Sequence, residues 1–313
     1  MACSGADSPL DEGAGDYGLT VALQSRSSDE LTDAWVMLLK DGQLAAYREA
    51  TSAGTVTFTD GATVNGDRAE SLKPGDYQIA VVANASDLQS TWDAIKSGWN
   101  SGQTITCSDL LGYKLTAGSD GLAPNQEPPL TWKQTVTVNP GHNSVTGQLK
   151  RAYARLRIEI ENSNATGGEN IQVLGLTFAS GFTGKTQYLF ADQSGTVTRG
   201  NITASSSNAL VPFAACTVTP GERRAIFDAY LLESQNDGYY TYTLRLKAGS
   251  TTKSVPVTIE TVNTSTGIAE RITAINRNDF ITSSVFVSYN PKAGDIEFEV
   301  EPWTQKDLDI EFN

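Results

Sequence analysis

Arg151-Ala152-Tyr153-Ala154-Arg155-Leu156-Arg157-Ile158-Glu159-Ile160 changes character at every step. Ala152, Ala154, Leu156, Ile158 and Ile160 share one face of an extended chain; Arg151, Tyr153, Arg155, Arg157 and Glu159 share the other. A period of two with one polar face predicts an antiparallel strand covering a core on one side. The same alternation returns from Tyr240 to Lys247, from Ile296 to Glu301 and from Asp307 to Phe312. Turn dipeptides punctuate the chain, among them Asp41-Gly42, Asp60-Gly61, Pro74-Gly75, Pro140-Gly141 and Pro220-Gly221. Each supplies a fixed φ or tolerates φ > 0. Short alternating strands between such turns predict an all-β protein built from sandwiches or barrels.

At 313 residues the chain is long for one sandwich and comfortable for two. The turn-rich Asn139-Pro140-Gly141-His142-Asn143-Ser144 precedes the 151–160 strand and marks the boundary. The expected organisation is a tether over 1–17, a first β-domain over 18–148 and a second over 149–313. One segment departs from strand periodicity. Leu88, Trp92, Ile95 and Trp99 fall at helical spacing after Ser86 or Asp87 as N-cap, predicting one short helix over the first domain. A long irregular loop is expected through Ser101–Pro129, where Pro124, Pro128 and Pro129 exclude a central strand.

Lys and Arg number 23 against 36 Asp and Glu, a formal charge of −13. That balance argues against a nucleic-acid partner, which needs clustered cations. No apolar run approaches the ~20 residues of a membrane span. The start, Met1-Ala2-Cys3-Ser4-Gly5, places a small residue before a cysteine, as a bacterial lipoprotein signal does at its cleavage point. Cys3 is therefore the expected lipidation site, the polar run to Asp16 its tether, and Met1 a replacement for a removed export signal. Cys107 and Cys216 are read as buried free thiols, although a pair within about 7 Å between Cα atoms would permit a disulfide.

Chemistry is sparse. His142 is the one histidine, and a loop histidine without partners reads as solvated. The three cysteines lack zinc spacing, and Gly195 to Gly200 reads as turn, strand and turn rather than a phosphate loop. Asp60 to Asp67 lacks the spacing of a calcium loop. Glu297, Glu299 and Glu301 repeat at period two, so they form a solvated strand face rather than a glycosidase pair. No enzyme, metal or cofactor is expected.

Three stretches carry a resemblance. Arg271-Ile272-Thr273-Ala274-Ile275-Asn276-Arg277-Asn278-Asp279-Phe280, followed by Val285 to Tyr289 and Ile296 to Trp303, resembles the end of proteins in the fimbrillin family of Bacteroidales. Leu149 to Ile158 is similar to the strand that opens that family's second domain, and Leu72-Lys73-Pro74-Gly75-Asp76-Tyr77 to a turn in its first. The resemblance implies two transthyretin-like antiparallel β-sandwich domains, export as a lipoprotein and a cell-surface location at the outer membrane. It also implies assembly with other fimbrial subunits by β-strand addition, in which an N-terminal strand lost by cleavage after Arg or Lys leaves a groove for another subunit's segment. Arg26 and Arg48 are the candidate processing sites, with Arg48 favoured. Leu308, Ile310 and Phe312 form the candidate exchanging strand. The short run after Trp303 favours an accessory, anchor or tip role over a stalk subunit. The alternative is a surface glycan-binding lipoprotein using aromatics such as Trp132, Tyr239 and Trp303. A host protein or glycan is a further expected partner.

Overall fold

The computed structural model describes residues 17–25, 31–50, 54–63, 69–70, 72–116, 127–179, 182–191, 203–204, 214–235, 237–262, 269–289 and 298–307. It divides into two compact units, Met1–Leu110 with Leu130–Leu149, and Leu111–Pro129 with Lys150–Asn313.

The first unit holds β1 (Tyr17–Gln24), β2 (Ala34–Lys40), β3 (Gln43–Ala50), β4 (Thr55–Thr59), β5 (Gly75–Ala83), β6 (Leu130–Val138) and β7 (Gly141–Gln148). β4, β1 and β7 form one sheet in that order, and β3, β2, β5 and β6 pair in the other. Leu19, Val21, Val56 and Phe58 from the first meet Val36, Leu38, Ile79 and Val81 from the second in one buried cluster. β2 is buried along nearly its whole length, which a strand achieves only when both faces are covered. Its second face lies under the helix α1 (Gln89–Asn100), where Trp92 stacks on Trp35 with ring centroids 5.0 Å apart and planes 3° from parallel. Leu88, Trp92, Ile95 and Trp99 are buried, as their spacing predicts. The expected cap differs: Ser86–Leu88 forms a 3-10 turn, and no side chain caps α1.

The second unit holds β8 (Ala154–Asn162), β9 (Ile171–Phe178), β10 (Cys216–Val218), β11 (Arg223–Leu231), β12 (Thr241–Ala248), β13 (Thr251–Thr258), β14 (Phe280–Tyr289) and β15 (Phe298–Asp307). One sheet runs β11-β8-β14-β15 and the other β10-β9-β12-β13. Leu156, Ile158 and Ile160 pack with Ile171, Val173, Leu244 and Leu246 between them. β8 shows strict buried and half-buried alternation, and Tyr242, Leu244 and Leu246 of β12 face the core as read.

Three details depart from the sequence reading. β8 starts at Ala154, and Arg151, Ala152 and Tyr153 are all buried. Their backbone is diverted into tertiary bonds: Ala152 N–H donates to the Pro129 carbonyl at 2.8 Å, and the Tyr153 carbonyl accepts from Asn278 N–H at 3.0 Å. Within the expected irregular loop, Ser108–Leu111 forms a helical turn, and Lys114–Thr116 pairs with Gly184–Tyr188. Each unit also contains a parallel neighbour pair, β1 with β7 and β8 with β14. Period-two patterning does not distinguish parallel from antiparallel pairing, and these partners lie far apart in sequence, as parallel connections require.

Candidate functional site

β1 occupies a slot. It pairs antiparallel with β4 from Gly18↔Thr59 to Ala22↔Thr55, and parallel with β7 from Tyr17↔Gly141 to Gln24↔Gln148. The ladder continues past both ends, with Asp60 N–H donating to the Tyr17 carbonyl at 3.0 Å and Leu149 N–H to the Gln24 carbonyl at 2.7 Å. Leu19, Val21 and Leu23 point into the core. Gly18, Thr20 and Ala22 alternate with them on the outer face. There Thr20 Oγ1 lies 2.9 Å from His142 Nε2 and 3.2 Å from Thr57 Oγ1. His142, read as a turn residue, is thus a strand residue of β7 hydrogen-bonded to β1. Removing β1 would bare two ladder edges and three apolar pockets at once.

Arg48 lies inside β3, opposite Val36. Its side chain is 11% exposed and forms an ion pair with Glu70, itself 3% exposed. Arg48 Nε donates to the Thr57 carbonyl at 3.1 Å, and the guanidinium lies over the Phe58 ring at 5.2 Å. A paired strand with a buried side chain does not present the open, extended chain that a protease grips. Arg26, Cys3, Leu308, Ile310 and Phe312 lie outside the described residues, as do Gly195 to Gly200 and Glu297.

At the other end of the chain, β15 closes its sheet and pairs with β14 from Phe280↔Asp307 to Tyr289↔Phe298. Pro302 within it lacks an N–H, in keeping with an edge position. The Asn276–Phe280 stretch that carried the family resemblance forms the turn that launches β14. Asn278 has φ of 67°, its Oδ1 accepts Arg151 N–H at 3.2 Å, and Asp279 Oδ2 accepts Asn276 N–H at 2.9 Å. Arg277 donates to both carboxylate oxygens of Glu233 at 2.7 and 2.8 Å and to the carbonyls of Leu189 and Tyr188. In the sequence this stretch stands out only by its resemblance to the family's C-terminal motif. The partner Glu233 lies in an unpatterned stretch, so nothing in the sequence announced the pair.

Cys107 and Cys216 are free thiols, and burial pushes the Cys107 thiol up to about 11. Among the described residues no group of His, Cys, Asp and Glu is placed to hold a metal ion. Trp92 and Trp99 are core residues. Trp132 is half-buried, packed against Gly147, and Trp303 stands opposite Ser284 on β15. Tyr239 is 52% exposed, with the Arg271 guanidinium over its ring at 5.0 Å. No helix among the described residues is long and apolar enough to cross a membrane.

Residues 22–309 match the family described as fimbrillin-A associated anchor proteins Mfa1 and Mfa2. Among solved structures, a fimbrilin (fimA) from Porphyromonas gingivalis is similar at TM-score 0.55 and 11% identity, over 93% of this chain and 97% of that one. The tip fimbrial protein Mfa3 from the same organism is similar at TM-score 0.51 and 14% identity, over 92% and 99%. A candidate cell adhesion protein from Bacteroides eggerthii is similar at TM-score 0.55 and 19% identity, over 94% and 98%. These likenesses establish a shared two-sandwich fold. No curated protein sequence matches the chain.

Proposed function

The chain belongs to the family of fimbrillin-A associated anchor proteins, and from that membership we propose that it is an accessory or anchor subunit of a bacterial fimbria. In this reading a lipid on Cys3 holds it in the outer membrane, and β-strand addition joins it to neighbouring subunits. The observation that carries the reading is the span of the family match, which begins within β1 and runs past β15, taking in both units. β1 is paired on both sides and links the Cys3 tether to the first unit, so an anchor held by that lipid keeps β1 in place and offers the C-terminal segment Leu308, Ile310 and Phe312 for strand addition. The burial of Arg48 favours a subunit not opened by cleavage at that residue. The role asks for no catalysis.

A strain making only the Cys3→Ala protein tests the reading. It should shed this protein and the fimbriae attached to it into the medium, and should show no lipid label on the chain. Fimbriae retained on the cells in normal amount would count against an anchor.

A further inference from the structure

A cleft of about 510 Å³ opens between α1 and residues 104–108. Both walls are fixed from behind. The Trp35–Trp92 stack holds α1 on β2, and the Ile105 carbonyl accepts Leu44 N–H from β3 at 2.7 Å. Near the end of the helix the second wall closes on the first. There Gln103 N–H donates to the Gly98 carbonyl at 3.0 Å, and Ile105 Cδ1 fills the space beside Gly98. Nearer the start of the helix the two walls part. Ser90 and Thr91 line one side of the opening, and Thr104, Thr106 and Ser108 the other. Thr106 Oγ1 and Ser108 Oγ stand 3.2 Å apart as a pair, and Ala94, Ile95 and Ile105 supply apolar surface. None of the described side chains around the cleft is charged, in a protein with 36 acids and 23 bases. The charged residues of α1 are engaged elsewhere: Lys96 pairs with Glu49 at 2.6 Å, and Asp93 accepts from Gln89.

We propose that this cleft binds a neutral carbohydrate. A Ser or Thr hydroxyl donates one hydrogen bond and accepts others, so it matches a ligand hydroxyl in either sense. Ala94, Ile95 and Ile105 receive the C–H face of a sugar ring. The volume falls within the range of about 300–1,000 Å³ usual for small-ligand pockets. An anion finds no cation among these groups, and a metal ion finds no carboxylate. A peptide strand is a poor match because one wall is a helix, whose backbone groups bond along its axis and offer no ladder. The site adds a ligand to the anchor reading and does not rest on it.

The test probes an array of neutral, sialylated and sulfated oligosaccharides with the full chain, then titrates the strongest binder. Neutral glycans should bind and acidic ones should not. Ala94 is an exposed helical residue, so Ala94→Leu should fill the cleft and abolish binding while leaving the melting temperature unchanged. Thr106→Val keeps the shape, removes one hydroxyl and should weaken binding about fivefold. Tyr239→Ala, at the exposed aromatic outside the cleft, should bind like the unaltered chain. Should Ala94→Leu lower the melting temperature, Thr106→Val decides alone. Three results overturn the site: no neutral glycan bound at millimolar concentration, a preference for acidic glycans, or binding that survives the cleft variants and is lost with Tyr239→Ala. Each leaves the anchor reading standing, since that is decided by the Cys3→Ala strain.

Discussion

The Arg277 guanidinium grips the Glu233 carboxylate through two hydrogen bonds, and each side chain is only 9% exposed. The pair sits in a wider buried network. Glu233 N–H donates to Gln187 Oε1 at 2.6 Å, and Gln187 Nε2 donates to the Ala152 carbonyl. The turn before β14, the strand Gly184–Tyr188 and the diverted backbone before β8 are thereby tied together. Removing one partner leaves a buried charge uncompensated, so Glu233→Ala should cost about 3–5 kcal/mol in urea unfolding. The Glu233→Ala, Arg277→Met double variant should recover part of that loss. An unchanged midpoint for Glu233→Ala would show that the pair is solvated.

Arg48 makes a second such prediction. Its ion pair with Glu70 and its place inside β3 should keep native trypsin from cutting the Arg48–Glu49 bond. Mass spectrometry of a timed digest reads this directly, and early cleavage at Arg48 would contradict it. Arg48→Met should destabilise the fold by roughly 3 kcal/mol, because Glu70 then retains its Thr59 N–H bond alone.

The stacked Trp35 and Trp92 rings hold α1 on the outer face of β2. Trp92 Nε1 also donates to Glu49 Oε1 at 2.7 Å. Trp92→Ala should cost about 3–5 kcal/mol and erase much of the near-ultraviolet circular dichroism, whereas Trp92→Phe should cost less.

Burial holds the Cys107 thiol at about 11 against an ordinary value of 9.0. Above pH 9 the unfolded chain releases this proton while the folded chain keeps it, so stability falls with rising pH. The contribution is complete below pH 9 and is lost between pH 9 and 11, roughly 2–3 kcal/mol in all. Tyr240, pushed up to about 12 by burial, adds its own loss at higher pH. Denaturant midpoints of the unaltered chain and Cys107→Ala across that range should therefore converge as the pH rises. Parallel curves would place the thiol in contact with solvent.

The strand content was legible because β8, β12 and the α1 segment each bury a face whose period is written into local sequence. Leu88, Trp92, Ile95 and Trp99 sufficed for the helix. The run before β8 misled, since Arg151 and Ala152 continue the alternation on paper while Arg151 N–H bonds Asn278 and Ala152 N–H bonds the Pro129 carbonyl. The parallel partners of β1 and β8 were illegible for a related reason: pairing direction is a property of the whole path, not of the strand. The contact between Thr20 and His142 has no local signal either, because neither residue looks unusual until β1 and β7 pair side by side.

Fimbriae solubilised from the producing cells in detergent, so that a lipid-held subunit stays attached, then purified and quantified by mass spectrometry, test the account at its centre. An accessory subunit predicts that this chain is present in them at a small fraction of the main stalk protein's amount. Its absence from the fimbriae, or its presence as their most abundant protein, would contradict the account.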